Sequence, residues 1–116
     1  MPEEEPKKEE LYPLDTEKPL VVTDHKVGDL EYTATTGMLP LKNEFGETEA
    51  GIFFMAYTKK GADSARPLMF SFNGGPGSSS VWLHLGTVGP KRVRMQPDGE
   101  MPSPPFELVD NPDTWL

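Results

Sequence analysis

The sequence predicts an α/β fold in which antiparallel edge strands lead into a core strand, a glycine turn and a helix. Short runs of β-branched and aromatic residues, separated by polar turns, indicate the strands. The apolar run at residues 67–72 ends in Asn-Gly-Gly-Pro-Gly at residues 73–77, and serines follow that can begin a helix near Ser79. Strand, glycine turn and helix therefore follow one another directly along the chain.

Each element follows from local composition. Strands are predicted, in chain order, at residues 20–23, 30–35, 38–41, 52–57, 67–72 and 91–95. The run at 67–72 has the apolar and aromatic character of a buried strand and is expected to be the core strand. Turns are expected at 27–29 and 42–47, a loop at 59–64, a helix at 79–85, and a proline- and glycine-rich loop at 96–105.

Residues 1–18 are charged, carry prolines and have few apolar side chains, which predicts a disordered acidic arm before a domain at 19–116. The arm does not have the apolar core of a signal peptide, and no stretch approaches the ~20 apolar residues of a membrane span. The chain contains no cysteine. If Met1 is the true start, these features predict a cytoplasmic protein without membrane association.

The net charge is −8, so the composition argues against nucleic acid as a partner, because phosphate binding requires clustered lysine and arginine. Lys91, Arg92 and Arg94 are too few to reverse that balance, and we interpret them as a solvated strand edge. With two isolated histidines and scattered acidic residues, we predict no metal site and no cofactor. The sequence leaves the oligomeric state open.

A turn of this composition between a strand and a helix directs free backbone N–H groups at one point, where they can hold an anion. A Walker phosphate loop would need a lysine directly after the glycines, and none follows Gly77 until Lys91. The dinucleotide fingerprint would need glycine at position 80, which is Ser80. An oxyanion or carboxylate site remains, together with the alternative of a tight turn that binds no ligand.

Three segments in order, residues 66–82, 85–90 and 111–115, resemble the serine carboxypeptidase family. They are similar to its Asn-Gly-Gly-Pro-Gly, Leu-Gly-Pro and Asn-Pro-x-Ser-Trp motifs, and similarity extends from about Tyr32 to Leu116. Many relatives have cysteine at the position of Ser78. With serine there, the motif is similar to that of bacterial carboxypeptidase-related proteins. The resemblance implies the N-terminal part of an α/β-hydrolase fold and a peptide substrate with a free C-terminal carboxylate.

The resemblance also implies roles for particular residues. Gly75 matches the position whose backbone N–H forms part of the oxyanion hole, and Asn73 and the N–H of Gly74 match groups that bind the substrate carboxylate. Thr87 lies where eukaryotic members have a glutamate that helps to bind this carboxylate. The hydroxyl of Thr87 can still form a hydrogen bond, but it cannot act as a protonated carboxyl group.

The sequence contains no Gly-x-Ser-x-Gly nucleophile elbow, and we interpret the serines at 78–80 as structural. His84 is expected on a helix face and His25 in a solvated turn, neither with a catalytic role. We therefore expect an N-terminal fragment of a carboxypeptidase that lacks the triad and is inactive alone. The alternatives are a carboxypeptidase-like acyltransferase, which passes the acyl group to an alcohol, and a non-catalytic binding module.

Overall fold

The computed structural model describes residues 19–116, and the acidic arm predicted at residues 1–18 lies outside the described residues. This part of the chain is small and consists mostly of strands, with one short helix, which is compatible with a partial α/β domain. Its elements, in order, are β1 (Val21–Val27), β2 (Leu30–Lys42), β3 (Thr48–Lys59), α1 (Val81–Leu83), a π-helical turn (His84–Val88), β4 (Lys91–Val93) and β5 (Leu108–Asp110).

The first three strands form one sheet in the order β1-β2-β3. Gly28 and Asp29 alone link β1 to β2, and residues 43–47 link β2 to β3. Parallel neighbours need a crossover of about a dozen residues or more, so links this short make the sheet antiparallel. Both turns lie where the sequence predicts them, and Asn43 Oδ1 closes the second by accepting from the N–H groups of Phe45 (2.9 Å) and Glu47 (3.0 Å).

β2 is one continuous strand, so the prediction of two separate strands at 30–35 and 38–41 was wrong. Gly37 lies in the stretch between them and is buried. A Cβ atom at this position would come 2.9 Å from Cζ of Phe54 on β3. The glycine therefore accommodates a ring from the neighbouring strand and does not interrupt the pairing.

The predicted core strand at 67–72 was also wrong, because this segment has no regular secondary structure and is exposed. Leu68 and Phe70 are each 79% exposed, and Phe72 is 76% exposed. A strand exists only by pairing with a neighbour, and neither sheet of the described residues includes this segment. Apolar composition alone therefore gives an extended segment here and no strand.

The predicted helix at 79–85 forms only one α-helical turn, and the chain then widens into the π-helical turn. The predicted strand at 91–95 is the shorter β4, which pairs antiparallel with β5, an element that the sequence did not indicate. Between them, residues 96–105 form loop and turns, as expected.

The contacts between Cα atoms divide the chain into two compact units. One contains the described residues up to Val22 and Thr35–Ala56, and the other contains Thr23–Ala34 and Tyr57–Leu116. Among the described residues, the most deeply buried large side chains belong to the second unit, which also carries the glycine turn: Tyr32, Pro90 and Asn111. No helix within 19–116 is long and apolar enough to cross a membrane.

Candidate functional site

The glycine turn at residues 73–77 has a backbone that only glycine adopts readily. Gly75 has φ +132° and Gly77 has φ +84°, both in the region that L side chains rarely occupy. A Cβ atom on Gly75 would also come 3.3 Å from Cβ of Ser78. Among the described residues the N–H groups of Gly74 and Gly75 donate no hydrogen bond, so both are available to an anionic group.

Asn73 begins the turn and has an incompletely bonded side chain. Its N–H donates to Ser80 Oγ (3.2 Å) and its Nδ2 to Ser78 Oγ (3.3 Å). The Oδ1 atom is buried and has no hydrogen-bond partner among the described residues. Since the Ser78 hydroxyl can donate as well as accept, the carboxamide can turn over and present Nδ2 at this position. Because the Oδ1 atom is buried, a ligand can bond to it only after the side chain turns outward.

The three consecutive serines close the turn. Ser78 and Ser80 accept from Asn73, and Ser79 Oγ accepts from the N–H of Val81 at 3.2 Å, at the start of α1. The N-cap of α1 is a serine, Ser80, but its side chain makes no capping hydrogen bond, and the bond to the first helical N–H comes from Ser79. Each hydroxyl of residues 78–80 is thus engaged within the turn itself, as expected for structural serines.

His84 follows α1 and contacts an aromatic side chain of β3. Tyr57 Oη and His84 Nε2 are 2.5 Å apart, and both side chains are half-buried. Burial lowers the pKa of the His84 imidazole below its ordinary value. Burial, with a smaller contribution from the neighbouring Tyr32, raises the pKa of Tyr57. At neutral pH the pair is therefore uncharged, and the imidazole tautomer decides which of the two atoms donates.

His25 lies on β1, so its predicted place in a turn was wrong, although the side chain is exposed as expected. Its ring stacks on Tyr32, with centroids 5.6 Å apart. Tyr32 in turn makes an edge contact with Tyr57 at 5.8 Å. The two histidines thus flank a pair of tyrosines within the second unit.

Asn111, which follows β5, has a partner for every polar atom of its side chain, and it is only 1% exposed. Its Nδ2 donates to the carbonyl oxygens of Thr87 (2.9 Å) and Gly89 (2.8 Å). Its backbone N–H donates to Pro90 O at 2.9 Å, and its Oδ1 accepts from the N–H of Asp113 at 3.1 Å. Donors and acceptor of this carboxamide are all used within the protein.

The carbonyl of Val88 is bonded by the same motif, from Thr114 Oγ1 (2.8 Å) and the N–H of Trp115 (3.1 Å). Sequence reasoning matched residues 111–115 to a family motif but did not predict this role. The Asn-Pro-Asp pattern does indicate an Asx turn, which Asn111 and Asp113 form. The bonds to residues more than twenty positions earlier depend on the fold, and no local pattern reveals them.

The basic residues after the π-helical turn are ion-paired. All the side chains involved are at least 41% exposed, so each pair contributes little to stability. The pairs are Lys91–Asp110, Arg92–Asp113 and Arg94–Glu107. Within residues 19–116, no group of three or more histidine, cysteine, aspartate or glutamate side chains is placed to hold a metal ion.

The hydrogen bonds thus join Asn73 to the serines of the same turn, and they join Thr87 to Asn111 through the Thr87 carbonyl. With Gly74 and Gly75 beside it, Asn73 forms an exposed loop that can bind an oxyanion or a carboxylate through neutral donors. The Thr87 side chain is exposed on the π-helical turn.

A strand-rich start, a glycine loop and a short helix, followed by a bonded Asn-Pro-Asp-Thr-Trp motif, define the hydrolase class that the sequence resembles. Comparison with family models bears this out, since the model described as "Serine carboxypeptidase" matches residues 27–116. The chain belongs to the serine carboxypeptidase family. No curated protein and no solved structure matches the chain.

Proposed function

We propose that this chain supplies half of the oxyanion hole and part of the carboxylate pocket of a serine-type carboxypeptidase. Such an enzyme hydrolyses the C-terminal peptide bond of a peptide through an acyl-enzyme. The observation that carries the proposal is the glycine loop of a family member, in which the N–H groups of Gly74 and Gly75, beside Asn73, donate to no acceptor within residues 19–116.

In this proposal Asn73 and the N–H of Gly74 bind the free carboxylate and so fix the position of the last peptide bond. Attack on its carbonyl carbon turns the carbonyl oxygen into an oxyanion, and the N–H of Gly75 donates to that oxygen. The nucleophile is not assigned to a residue of this chain, because the sequence contains no Gly-x-Ser-x-Gly.

The pocket is expected to work near neutral pH. Asn73, Gly74 and Thr87 are neutral donors whose hydrogen bonding does not depend on protonating a side chain in the acidic range. A substrate carboxylate is ionised at pH 7 and accepts from all of them. We therefore expect recognition of the carboxylate without the acidic optimum of relatives that use a glutamate.

The test uses the coding region expressed through its natural stop codon. Release of the C-terminal amino acid from an N-blocked dipeptide is measured at pH 7, with the same dipeptide carrying a C-terminal amide as the comparison substrate. We expect cleavage of the acid at a clearly higher kcat/KM than that of the amide. Transfer of the acyl group to an added alcohol in preference to water would indicate the acyltransferase.

A fluorophosphonate probe separates catalysis from simple binding. If the expressed protein neither reacts with the probe nor cleaves either dipeptide, yet binds an N-blocked amino acid, it is a binding module and the proposal is wrong. Probe labelling of Ser78, Ser79 or Ser80 would contradict the structural role of these serines, since their hydroxyls are bonded within the turn.

A further inference from the structure

One short motif holds four consecutive carbonyl groups of a distant segment. The oxygens of residues 87–90 all accept hydrogen bonds from residues 111–115, and three of the five bonds come from Asn111. The last carbonyls of any helix need partners outside it. Here the π-helical turn, which ends at Val88, receives them from side chains and backbone that are far away in sequence.

The π-helical form of this turn needs such support. π-helical turns are rare, and they are frequently found at functional sites. The turn begins directly after α1 and thus determines where the chain leaves the helix that follows the glycine loop. Asn111 donates hydrogen bonds to the carbonyl groups on both sides of the last residue of the π-helical turn, those of Thr87 and Gly89.

A continuous series of contacts leads from this end back to the glycine loop. Gly89 packs so closely on His84 that a Cβ atom would overlap the His84 carbonyl group. The N–H of His84 donates to Ser80 O at 3.0 Å, and Ser80 Oγ accepts from the N–H of Asn73 at 3.2 Å. Four contacts, through Gly89, His84 and Ser80, therefore connect Asn111 to Asn73, all of them within the second unit.

We propose that Asn111 is a positioning residue that fixes the end of the π-helical turn and thereby the orientation of the glycine loop. It does not touch the substrate itself. The inference rests on the proposed function, in which this loop binds the substrate carboxylate and the oxyanion. If Asn111 acts through these packed and hydrogen-bonded neighbours, a change at Asn111 must displace the glycine loop. This displacement can be measured.

Asn111→Asp is the direct variant. It keeps the shape of the side chain and the Oδ1 acceptor for Asp113, but it removes both donors and places a carboxylate against two carbonyl oxygens. Asn43→Asp is the matched control. There Oδ1 closes an exposed turn of the first unit, and the lost Nδ2 makes one exposed bond, to Glu47.

The kinetic measurement compares the blocked dipeptide acid with its amide for the wild type and both variants. If Asn111 positions the loop, Asn111→Asp lowers kcat/KM for the acid at least about tenfold more than for the amide, mainly through KM, a change equivalent to ~1.4 kcal/mol. Asn43→Asp changes neither. A loss on both substrates that matches the loss of folded protein, measured by circular dichroism, would mean that Asn111 only maintains the folded fraction, and it would overturn the proposal.

Amide NMR shifts of the full chain provide a measurement that does not depend on activity. Asn111→Asp is expected to shift the signals of Gly74 and Gly75 as well as those of residues 87–90, and shifts confined to residues 87–90 and 111–115 would overturn the proposal. If the wild type proves inactive, the proposed function fails, but this measurement still decides the positioning role.

Thr114→Val covers the case in which Asn111→Asp does not fold. It removes the bond from Thr114 Oγ1 to Val88 O and the bond that this oxygen accepts from the N–H of Leu116, with little change in volume. The expected result is a smaller displacement of the same Gly74 and Gly75 signals. A folded Thr114→Val protein with unchanged loop signals would overturn the proposal on its own.

Discussion

Asn73 and Asn111 each stand at the head of a family motif, yet the structure treats them in opposite ways. Asn111 is 1% exposed and every polar atom of its side chain has a protein partner. Asn73 lies on an exposed loop and keeps a buried Oδ1 without a partner among the described residues. An asparagine whose bonds are all internal holds structure, whereas one with an unused polar atom can still bind a ligand.

The surroundings of the two asparagines differ in the same direction. The segment that leads to Asn73 exposes most of its apolar side chains, including Leu68 and Phe70. The segment around Asn111 pairs with β4 and with the end of the π-helical turn. If this contrast is correct, substitutions near Asn73 affect activity and substitutions near Asn111 affect stability first.

The largest effect is expected for Gly75→Val, next to Asn73. A side chain at φ +132° forces the backbone to another conformation, and its Cβ would lie 3.3 Å from that of Ser78. The N–H would then no longer point at the oxyanion. Loss of one such donor costs about 2.7–4 kcal/mol of transition-state stabilisation, so kcat should fall 10²–10³-fold.

Gly86→Val is the matched control for this change. Gly86 does not have a positive φ, and a Cβ atom there would meet nothing within 4 Å. Both variants are measured by kcat on the blocked dipeptide and by circular dichroism. Equal loss of kcat in the two variants would show that the conformation of the loop at Gly75 is not what catalysis requires.

The two asparagines are compared directly by Asn111→Ala and Asn73→Ala. The first leaves the carbonyls of Thr87 and Gly89 without this donor in a buried place and should lower the free energy of unfolding by about 2–3 kcal/mol. The second removes an oxygen without a partner among the described residues and one exposed bond, from Nδ2 to Ser78 Oγ, and should change this free energy by about 0.5 kcal/mol or less. Urea unfolding of each variant checks both values.

After correction for the folded fraction, Asn73→Ala should lower the activity more than Asn111→Ala does. Asn73→Ala is expected to raise KM for the dipeptide acid while the protein stays folded. A large loss of stability from Asn73→Ala would show that the buried oxygen of Asn73 has a structural partner in solution. No loss from Asn111→Ala would show that the bonds of Asn111 do not hold the fold, and either result would contradict the contrast.

A smaller effect is expected at His84, which lies between the two motifs. Burial lowers its pKa in the folded chain, so the unfolded chain binds the proton more tightly. The contribution of the neutral, buried His84 to the stability of the fold is therefore fully present above the unfolded pKa of about 6.5. Stability decreases as the pH falls towards the pKa of the folded chain. Urea midpoints measured between pH 8 and pH 5 should show this decrease.

His84→Gln should flatten that part of the pH profile, and the same substitution at the exposed His25 is the matched control. A profile that keeps its slope in His84→Gln would mean that the Tyr57–His84 contact does not exclude the imidazolium from this site.

The sequence predicted the family, the antiparallel strands and the glycine loop, because all three depend on local patterns. It failed at 67–72, because whether an apolar run becomes a strand depends on a neighbour that local composition does not contain. It also missed β5 and the bonds of Asn111, which join residues about twenty positions apart. Pairing and burial are properties of the fold, so a local pattern could suggest the Asx turn at Asn111 but not its distant partners.

The smallest effect is expected for Arg94→Ala, and it tests whether burial decides what a hydrogen bond contributes. Arg94 Nη1 lies 2.5 Å from Glu107 Oε1, closer than any partner of Asn111, but the two side chains are 58% and 50% exposed. Water and dissolved ions screen such a pair, so its loss should lower the free energy of unfolding by less than about 1 kcal/mol. Urea unfolding beside Asn111→Ala makes the comparison, and a loss from Arg94→Ala as large as that from Asn111→Ala would mean that burial does not explain the difference.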